Sequence, residues 1–198
     1  MIKNICVYCG SSKGRDPRFE AAASELGRDM AAAGVGLVYG GGNNGLMGVV
    51  ARATLEGGGR VRGVIPEFLK QRESMLDGAQ ELVVVPDMHT RKRMMFEAAD
   101  AFVALPGGVG TLEELVEQLT WAQLGRHGKP VLILDVAGFW RPLLSLFAHM
   151  RDFGFIHGDL EIRYLVAERA TDVLPMLEAA HTRELARRHS DSAPIERL

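Results

Sequence analysis

Glycine, threonine and glutamate stand close together in the segment Pro-Gly-Gly-Val-Gly-Thr-Leu-Glu-Glu, residues 106–114. The apolar run 101–105 precedes it and predicts a buried strand, and the amphipathic stretch 111–124 predicts a helix. A glycine-rich turn between strand and helix lets the backbone approach a phosphate, and the N–H groups at the helix start point towards the anion. The segment therefore predicts a phosphate site beside two carboxylates, which suits chemistry on a phosphorylated small molecule.

Two more loops of small, polar residues follow predicted strands. Residues 10–14 come after the strand 4–9, and residues 40–48 come after the strand 35–39. In open α/β sheets, ligands bind outside the carboxyl ends of the strands. We therefore expect one site built from three loops, with Ser11, Gly42 and Asn43 among its binding residues.

The glycines Gly40, Gly42 and Gly45 also match the dinucleotide fingerprint G-x-G-x-x-G. The match is weak, because the loop follows the second predicted strand and the acid expected about 20 residues later is displaced to Glu67. An oxidoreductase of the NAD type stays open as an alternative, as does a tight strand-to-helix turn. No P-loop motif G-x-x-x-x-G-K-[ST] occurs, which argues against a nucleoside triphosphatase.

Three consecutive cations, residues 91–93, lie near the start of the predicted helix 88–99. Cations there oppose the helix dipole, so an anionic ligand would offset an otherwise unfavourable arrangement. At most two of the three can converge on one ligand, and a solvated helix face is the alternative. His89 lies beside them, and we expect it to be structural or to support the site residues rather than to be catalytic.

Glu113, Glu114 and Glu117 are the candidate acids of the second helix. Adjacent helical residues project about 100° apart, so Glu113 and Glu114 are expected to have different roles. The six histidines show no metal-binding spacing, and no serine has the G-x-S-x-G context of a nucleophile. The sequence predicts neither a metal nor a cofactor.

Strand and helix patterns alternate along the chain, which predicts an α/β protein with a Rossmann-like doubly wound sheet, mainly parallel, of about seven strands with helices on both faces. The predicted strands are 4–9, 35–39, 61–65, 81–85, 101–105, 130–134 and 164–167. The predicted helices are 17–33, 45–57, 88–99, 111–124, 140–153 and 170–182. We expect a single nucleotide-binding domain over residues 1–182 and a frayed or disordered tail over 183–198. The non-periodic stretch 71–80 is expected to line a site or an interface.

Composition narrows the functional classes. The 198 residues carry a net charge of −2, with 47% hydrophobic and 24% charged residues, so nothing indicates a nucleic-acid or membrane partner. No apolar run approaches the ~20 residues that span a bilayer, and no signal peptide is evident, so we expect a cytoplasmic protein. Cys6 and Cys9 lie in or beside a predicted strand, where residues three apart point to opposite faces, so we expect packing rather than redox chemistry.

The motifs together resemble the Lonely Guy family of cytokinin riboside 5′-monophosphate phosphoribohydrolases. Residues 106–114 match the family pattern P-G-G-x-G-T-x-x-E, and residues 88–92 match M-H-x-R-K. Further similarity covers Tyr-Cys-Gly-Ser-Ser (8–12), residues 39–43, residues 45–48 and Thr-Trp-Ala-Gln-Leu-Gly (120–125), over roughly residues 2–180. Asn44 departs from the family, in which many members have a small apolar residue there. Members have often been labelled lysine decarboxylases, but no lysine here has a pyridoxal-phosphate context.

The resemblance implies hydrolysis of the N-glycosidic bond of AMP or N6-substituted riboside monophosphates, which releases a free base and ribose 5-phosphate. By resemblance, Arg91 and Glu114 match the catalytic positions. The matching substrate-contacting positions are Glu73, Lys92, Gly107, Gly108, Val109, Gly110, Thr111, Leu112, Glu113 and Thr120. A nucleotide-binding protein without catalysis remains an alternative.

A homodimer is also expected, with larger assemblies possible. The predicted interface consists of helices 88–99 and 111–124, because both carry more large apolar side chains than one buried stripe would use. The alternative is that both helices are central in the fold and covered on two sides. The residues expected to supply this surplus are Met94, Met95, Phe96, Leu115, Leu119, Trp121 and Leu124.

Overall fold

The computed structural model describes residues 1–70, 81–156 and 162–191, with side chains up to residue 187. Seven strands form one sheet in the order β4-β3-β2-β1-β5-β6-β7, and every neighbouring pair is parallel. The strands are β1 Asn4–Tyr8, β2 Gly36–Tyr39, β3 Val61–Pro66, β4 Glu81–Val85, β5 Ala101–Ala104, β6 Val131–Leu134 and β7 Leu165–Ala167. The predicted fold class is confirmed, and each strand agrees with its predicted range to within one residue at either end.

Helices cover both faces of the sheet. They are α1 Pro17–Ala32, α2 Gly45–Glu56, α3 Glu67–Lys70, α4 Met88–Ala98, α5 Val109–Gln123, α6 Arg141–Asp152 and α7 Val173–Asp191. The short helix α3 has no counterpart in the sequence prediction. Helix α7 continues to Asp191, so position 182, the expected end of the domain, falls inside it. Within the described residues, no helix is long and apolar enough to cross a membrane.

Two apolar clusters lie on opposite faces of the sheet because successive strand residues alternate in direction. On one face, α1, α2 and α7 bury side chains such as Leu26, Val50 and Leu177. On the other face, α4, α5 and α6 bury side chains such as Met95, Leu119 and Phe147. A sheet covered on both faces needs apolar residues at consecutive positions, which explains the short, continuous apolar runs of the sequence.

The two cysteines confirm this alternation. Cys6 packs in the cluster on the α4–α6 face, whereas Cys9 packs in the cluster on the α1–α2 face. Both thiols are free and buried, and burial raises the pKa of each above its usual value. Neither thiol therefore has the lowered pKa of a redox-active cysteine.

The first helix is set by the residues that the sequence indicated. Asp16 lies at the N-cap and its carboxylate accepts a hydrogen bond from the Arg18 amide at 2.9 Å, with Pro17 in the first turn. The helix ends at Ala32, and Gly34 follows with a φ of 69°, a left-handed conformation that suits glycine. Helix α1 leads the chain away from the first glycine loop and back to the start of β2.

The apolar surplus expected on α4 and α5 is smaller than predicted. Met95, Leu115 and Leu119 are almost fully buried against the sheet, so these three cannot contribute to an outer surface. The sequence prediction assigned them to the interface because a helix packed near the centre of a sheet buries a stripe wider than the sequence pattern alone shows. The large apolar residues exposed here are Val109 and Val116 of α5 and Leu124 directly after it.

Candidate active site

Three loops meet at the carboxyl edge of the sheet, as the sequence predicted. The amide of Gly10, after β1, donates a hydrogen bond to the carbonyl of Pro106, after β5, at 3.0 Å. The amide of Leu46, in the first turn of α2, donates to the carbonyl of Gly10 at 3.0 Å. Strand order reverses between β1 and β5, and that reversal is where open α/β sheets form their ligand crevice.

Two glycines allow these loops to touch. A Cβ atom on Gly45 would lie 2.3 Å from the Ser12 amide nitrogen, and Gly45 has a φ of 59°. A Cβ atom on Gly107 would lie 2.1 Å from the Thr111 hydroxyl oxygen and 2.9 Å from the Gly10 nitrogen. Larger residues at either position would push the loops apart.

The amino end of α5 is open to a ligand. The helix begins at Val109, two residues earlier than predicted, and its N-cap Gly108 has no side chain to accept a hydrogen bond from the first turn. Gly108, Val109 and Gly110 are exposed, whereas Thr111 is buried with its hydroxyl beside Gly107. Uncapped N–H groups at the positive end of a helix attract an anion such as phosphate.

A buried ion pair joins α4 to α5. The Nη1 atom of Arg91 lies 2.8 Å from Oε1 of Glu114, and both residues are 8% exposed. The Nε atom of Arg91 donates a second hydrogen bond to the carbonyl of Val64 in β3, at 3.1 Å. Arg91 therefore holds one carboxylate and one strand at a fixed distance from each other.

Burial raises the pKa of the Glu114 carboxyl above its usual value, and the nearby charge of Glu113 adds to this effect. Arg91 opposes it, both through its positive charge and through the hydrogen bond. A carboxyl group kept away from water and close to one cation is typical of a group tuned for chemistry.

Gly40 has a different role from that of a dinucleotide fingerprint. A Cβ atom there would lie 2.3 Å from Nη2 of Arg91 and 3.1 Å from the sulfur of Met47. The first glycine of the apparent fingerprint thus makes room for the guanidinium of Arg91. Our sequence reading missed this contact because the two residues are 51 positions apart and no local pattern connects them.

A second set of ion pairs lies next to the first and nearer the solvent. The ammonium group of Lys92 lies 2.7 Å from Oε1 of Glu113 and 2.9 Å from Oε1 of Glu117. Burial lowers the pKa of Lys92, but the hydrogen bonds from the ammonium to these two carboxylates outweigh burial and raise it overall. Adjacent glutamates thus have different partners, as expected, and Arg93 is exposed.

The remaining predicted residues differ in where the structure places them. Ser11 is exposed beside Gly45, and Gly42 is buried in the second loop. Asn43 is fixed by Arg52, which donates to its side-chain and backbone oxygens. Thr120 is not brought to the cluster: its hydroxyl donates to the Val116 carbonyl of its own helix at 2.8 Å. Glu73 lies outside the described residues.

Tyr8 is a buried neighbour of the site that sequence reasoning treated only as part of a strand and a motif. Burial raises the pKa of its phenol, and the charges of Cys6, Glu114 and Glu117 raise it further. Its only sequence signal was a polar tip at the last position of an apolar strand. Within the described part of the chain, no three His, Cys, Asp or Glu residues group as metal ligands.

Fold and site define a Rossmann-like protein with an open, uncapped helix start next to a buried arginine–carboxylate pair. A family model described as "Possible lysine decarboxylase" matches residues 47–177. The cytokinin riboside 5′-monophosphate phosphoribohydrolase LOG of Oryza sativa subsp. japonica is 49% identical over 89% of this chain and 73% of its own length. LOG7 of Arabidopsis thaliana, which has the same enzyme name, is 47% identical over 89% of this chain and 82% of its own length. The chain belongs to the family of these cytokinin riboside 5′-monophosphate phosphoribohydrolases, as its motifs indicated.

Solved structures agree with the fold. The Moco carrier protein of Chlamydomonas reinhardtii superposes with a TM-score of 0.69 at 22% identity, covering 92% of this chain and 99% of its own. The molybdenum cofactor binding protein of Rippkaea orientalis superposes with a TM-score of 0.67 at 21% identity, covering 90% and 97%. At this identity the likeness concerns the arrangement of strands and helices.

Proposed function

We propose that the protein is a phosphoribohydrolase that hydrolyses the N-glycosidic bond of cytokinin riboside 5′-monophosphates and of AMP. The observation that carries the proposal is the buried Arg91–Glu114 pair, one helical turn from the open amino end of α5. A phosphate bound at that helix start brings the attached ribose close to the carboxylate. The enzyme names of the relatives, at 47–49% identity, agree with this chemistry.

The proposed mechanism begins with the phosphate held by the first amides of α5 and the hydroxyl of Thr111. Cleavage of a ribosyl C1′–N bond builds positive charge on the sugar, as in other glycoside hydrolyses. The Glu114 carboxylate stabilises this charge or orients the attacking water, and Arg91 positions both the carboxylate and the substrate. The water oxygen joins C1′ while the C1′–N electron pair goes to the base. One water proton ends on the base, and the other remains on the new hydroxyl of ribose 5-phosphate.

Remote phosphate binding is the reason to expect selectivity for monophosphates over nucleosides. Binding energy from a non-reacting part of the substrate positions the reacting bond, so its loss reduces kcat as well as affinity. The residues offered to the substrate are Ser11, Gly42, Asn43, Lys92, Thr120, Glu73 and the segment 107–113. Neither a metal ion nor a cofactor takes part in the mechanism we propose.

The label of lysine decarboxylase fits this site poorly. A lysine that forms a Schiff base needs a lowered pKa to supply a neutral amine. Lys92, the lysine beside the candidate site, has a raised pKa because Glu113 and Glu117 hold its ammonium form. An NAD-type oxidoreductase is also disfavoured, because Gly40 adjoins Arg91 rather than open space for a pyrophosphate.

The test is release of free base from AMP, isopentenyladenosine monophosphate, adenosine and isopentenyladenosine, measured by chromatography. We expect release from both monophosphates and little from either nucleoside. Comparable turnover of adenosine and AMP would contradict the phosphate-anchored mechanism. Binding of AMP without base release would instead identify a nucleotide-binding protein without catalysis.

We also propose that the enzyme works as a homodimer in the cytoplasm, with α4 and α5 at the interface and larger assemblies possible. Support comes from the exposed apolar residues Val109 and Val116 of α5 and Leu124 directly after it. Light scattering at micromolar concentration tests the dimer. A mass near that of one 21.6 kDa chain, rather than about twice that mass, would refute it.

A further inference from the structure

A cavity of about 860 Å³ lies at the amino edge of the sheet, opposite the candidate active site. Its walls come from the segment before β6, the segment before β7 and the last turns of α7. The glycine loops and Glu114 belong to the carboxyl edge, so the length of the sheet separates the two regions. The cavity volume lies within the range of about 300–1,000 Å³ that is usual for small-molecule sites.

Five cationic side chains line this cavity: Lys129, Arg151, Arg163, Arg183 and Arg187. The only carboxylate among the described lining residues is Glu184, which forms an ion pair with Arg187 at 3.4 Å. Arg151, Arg163 and Arg183 form no ion pair with any residue that the structure describes. The arginines are exposed, so water screens their mutual repulsion, but their concentration in a chain of net charge −2 makes the cavity a locally positive region that attracts anions.

Lys129 is the fifth cation of the cavity and lies at its inner wall. Its ammonium donates a hydrogen bond to the carbonyl of Phe96 at 2.7 Å and lies 4.0 Å from the centre of the Phe96 ring. Among the described residues, no carboxylate lies within ion-pair distance of it; burial lowers its pKa, and the charges of Asp100 and Glu97 partly oppose that effect. An anion in the cavity would add to the negative charge that these two carboxylates place near the half-buried ammonium.

Part of the wall is apolar and aromatic. Ile162 and Leu165 flank Tyr164, whose half-buried ring packs against Phe147 at a centroid distance of 5.8 Å. An aromatic face and aliphatic neighbours accept a flat heterocycle, while guanidinium groups bind phosphate oxygens in pairs. A concave site of this size takes a small molecule in preference to the broad surface of a macromolecule.

We propose that this cavity is a second ligand site, which binds a nucleoside polyphosphate with its phosphates on the arginines and its base against Tyr164. The site is distinct from the proposed catalytic one and does not depend on the proposed reaction. Arg183 and Arg187 stand one helical turn apart on α7 and both line the cavity, so one polyphosphate could contact both.

The experiment uses ATP as the probe and measures its binding to the full chain by equilibrium dialysis. A double charge reversal, Arg163→Glu with Arg183→Glu, is compared with a matched control, Arg28→Glu with Arg60→Glu, whose two arginines are exposed elsewhere on the surface. We expect the cavity variant to weaken ATP binding about tenfold or more, because charge-assisted hydrogen bonds to phosphate are lost. The control should stay within about twofold, and added salt should weaken binding by the parent protein.

Further measurements keep the outcomes separate. If the cavity reversal fails to fold, Arg163→Gln with Arg183→Gln tests the same contacts with less repulsion. Base release from AMP should be unchanged by either double variant, and its absence from all of them would refute only the proposed reaction. No ATP binding by the parent, or ATP binding retained by the cavity variants, would overturn the second site. Pyrophosphate binding as tightly as ATP would overturn the role given to Tyr164.

Discussion

Arg91 and Lys92 are neighbours on α4, and each pairs with glutamate on α5, yet the two links are physically different. The Arg91–Glu114 link has both side chains 10% exposed. The Lys92 link reaches Glu113, whose side chain is 50% exposed, and Glu117, whose side chain is 20% exposed. One step along α4 turns the cation about 100°; the Lys92 side chain is itself only 14% exposed, so the two links differ mainly in the exposure of their carboxylates.

Burial decides what each link can do. A carboxylate in water gains little from a nearby cation, and such exposed pairs contribute about 0–1 kcal/mol. A buried pair interacts more strongly but loses hydration, so breaking it by removing one partner costs about 3–5 kcal/mol. The inner link can therefore hold a reactive carboxylate in a fixed place, whereas the outer link orients α4 relative to α5 and presents charge to the solvent.

The largest expected effect is that of Glu114→Gln on the rate of base release. The amide keeps the size of the side chain and an oxygen that can accept from Arg91, but it carries no negative charge. We expect kcat to fall about 10²–10⁴-fold while AMP binding stays measurable. Glu117→Gln is the control on the outer link and should change kcat only a few-fold. A similar loss in both variants would erase the distinction between the two links.

The next largest effect is expected for Arg91→Ala, with Lys92→Ala as its outer counterpart. Removing Arg91 leaves a buried carboxylate without its cation, so unfolding free energy should fall by about 3–5 kcal/mol. KM should rise as kcat falls, because the guanidinium is proposed to contact the substrate. Urea unfolding and steady-state kinetics measure both quantities. Equal stability of the two variants would show that the inner pair is not the stronger link.

The fold was readable from the sequence because its signals are local. Apolar runs, the Asp16-Pro17 helix start and the glycine loops each occupy a few consecutive residues, and all seven strands follow from them. The site was readable in part for the same reason, since the segment 106–114 contains both the glycine-rich loop proposed to bind phosphate and Glu114. The contact of Gly40 with Arg91 was not readable, because it forms only when β2, α4 and the sheet are assembled.

The missed contact itself offers an intermediate test, Gly40→Ala. The added Cβ atom would overlap Nη2 of Arg91, and a buried guanidinium held by Val64 and Glu114 has little room to move. A displacement near 1 Å at a reacting group can cost about 10²-fold in rate. We expect kcat to fall up to that amount, with a smaller further loss when Gly40→Ala is added to Arg91→Ala. Full additivity of the two substitutions would show that Gly40 does not act through Arg91.

The smallest effect, and the one that links inner and outer pairs, concerns pH. The proposed active form of Glu114 is the carboxylate, so kcat/KM should fall as pH drops through the pKa of this group. Burial and the charge of Glu113 raise that pKa, so the acid limb of the pH profile should lie above the ordinary glutamate value of 4.5.

Glu113→Gln removes one of these two raising effects, so the acid limb should move to lower pH. Because Glu113 is half exposed, the same substitution should change the unfolding free energy by no more than about 1 kcal/mol. Lys92, which pairs with Glu113, lowers the Glu114 pKa, and it keeps its charge in Glu113→Gln because it also pairs with Glu117. The substitution therefore leaves this lowering effect in place, and the expected shift of the limb is still to lower pH. A limb that stays in place or moves to higher pH in Glu113→Gln would mean that the limb reports a group other than Glu114.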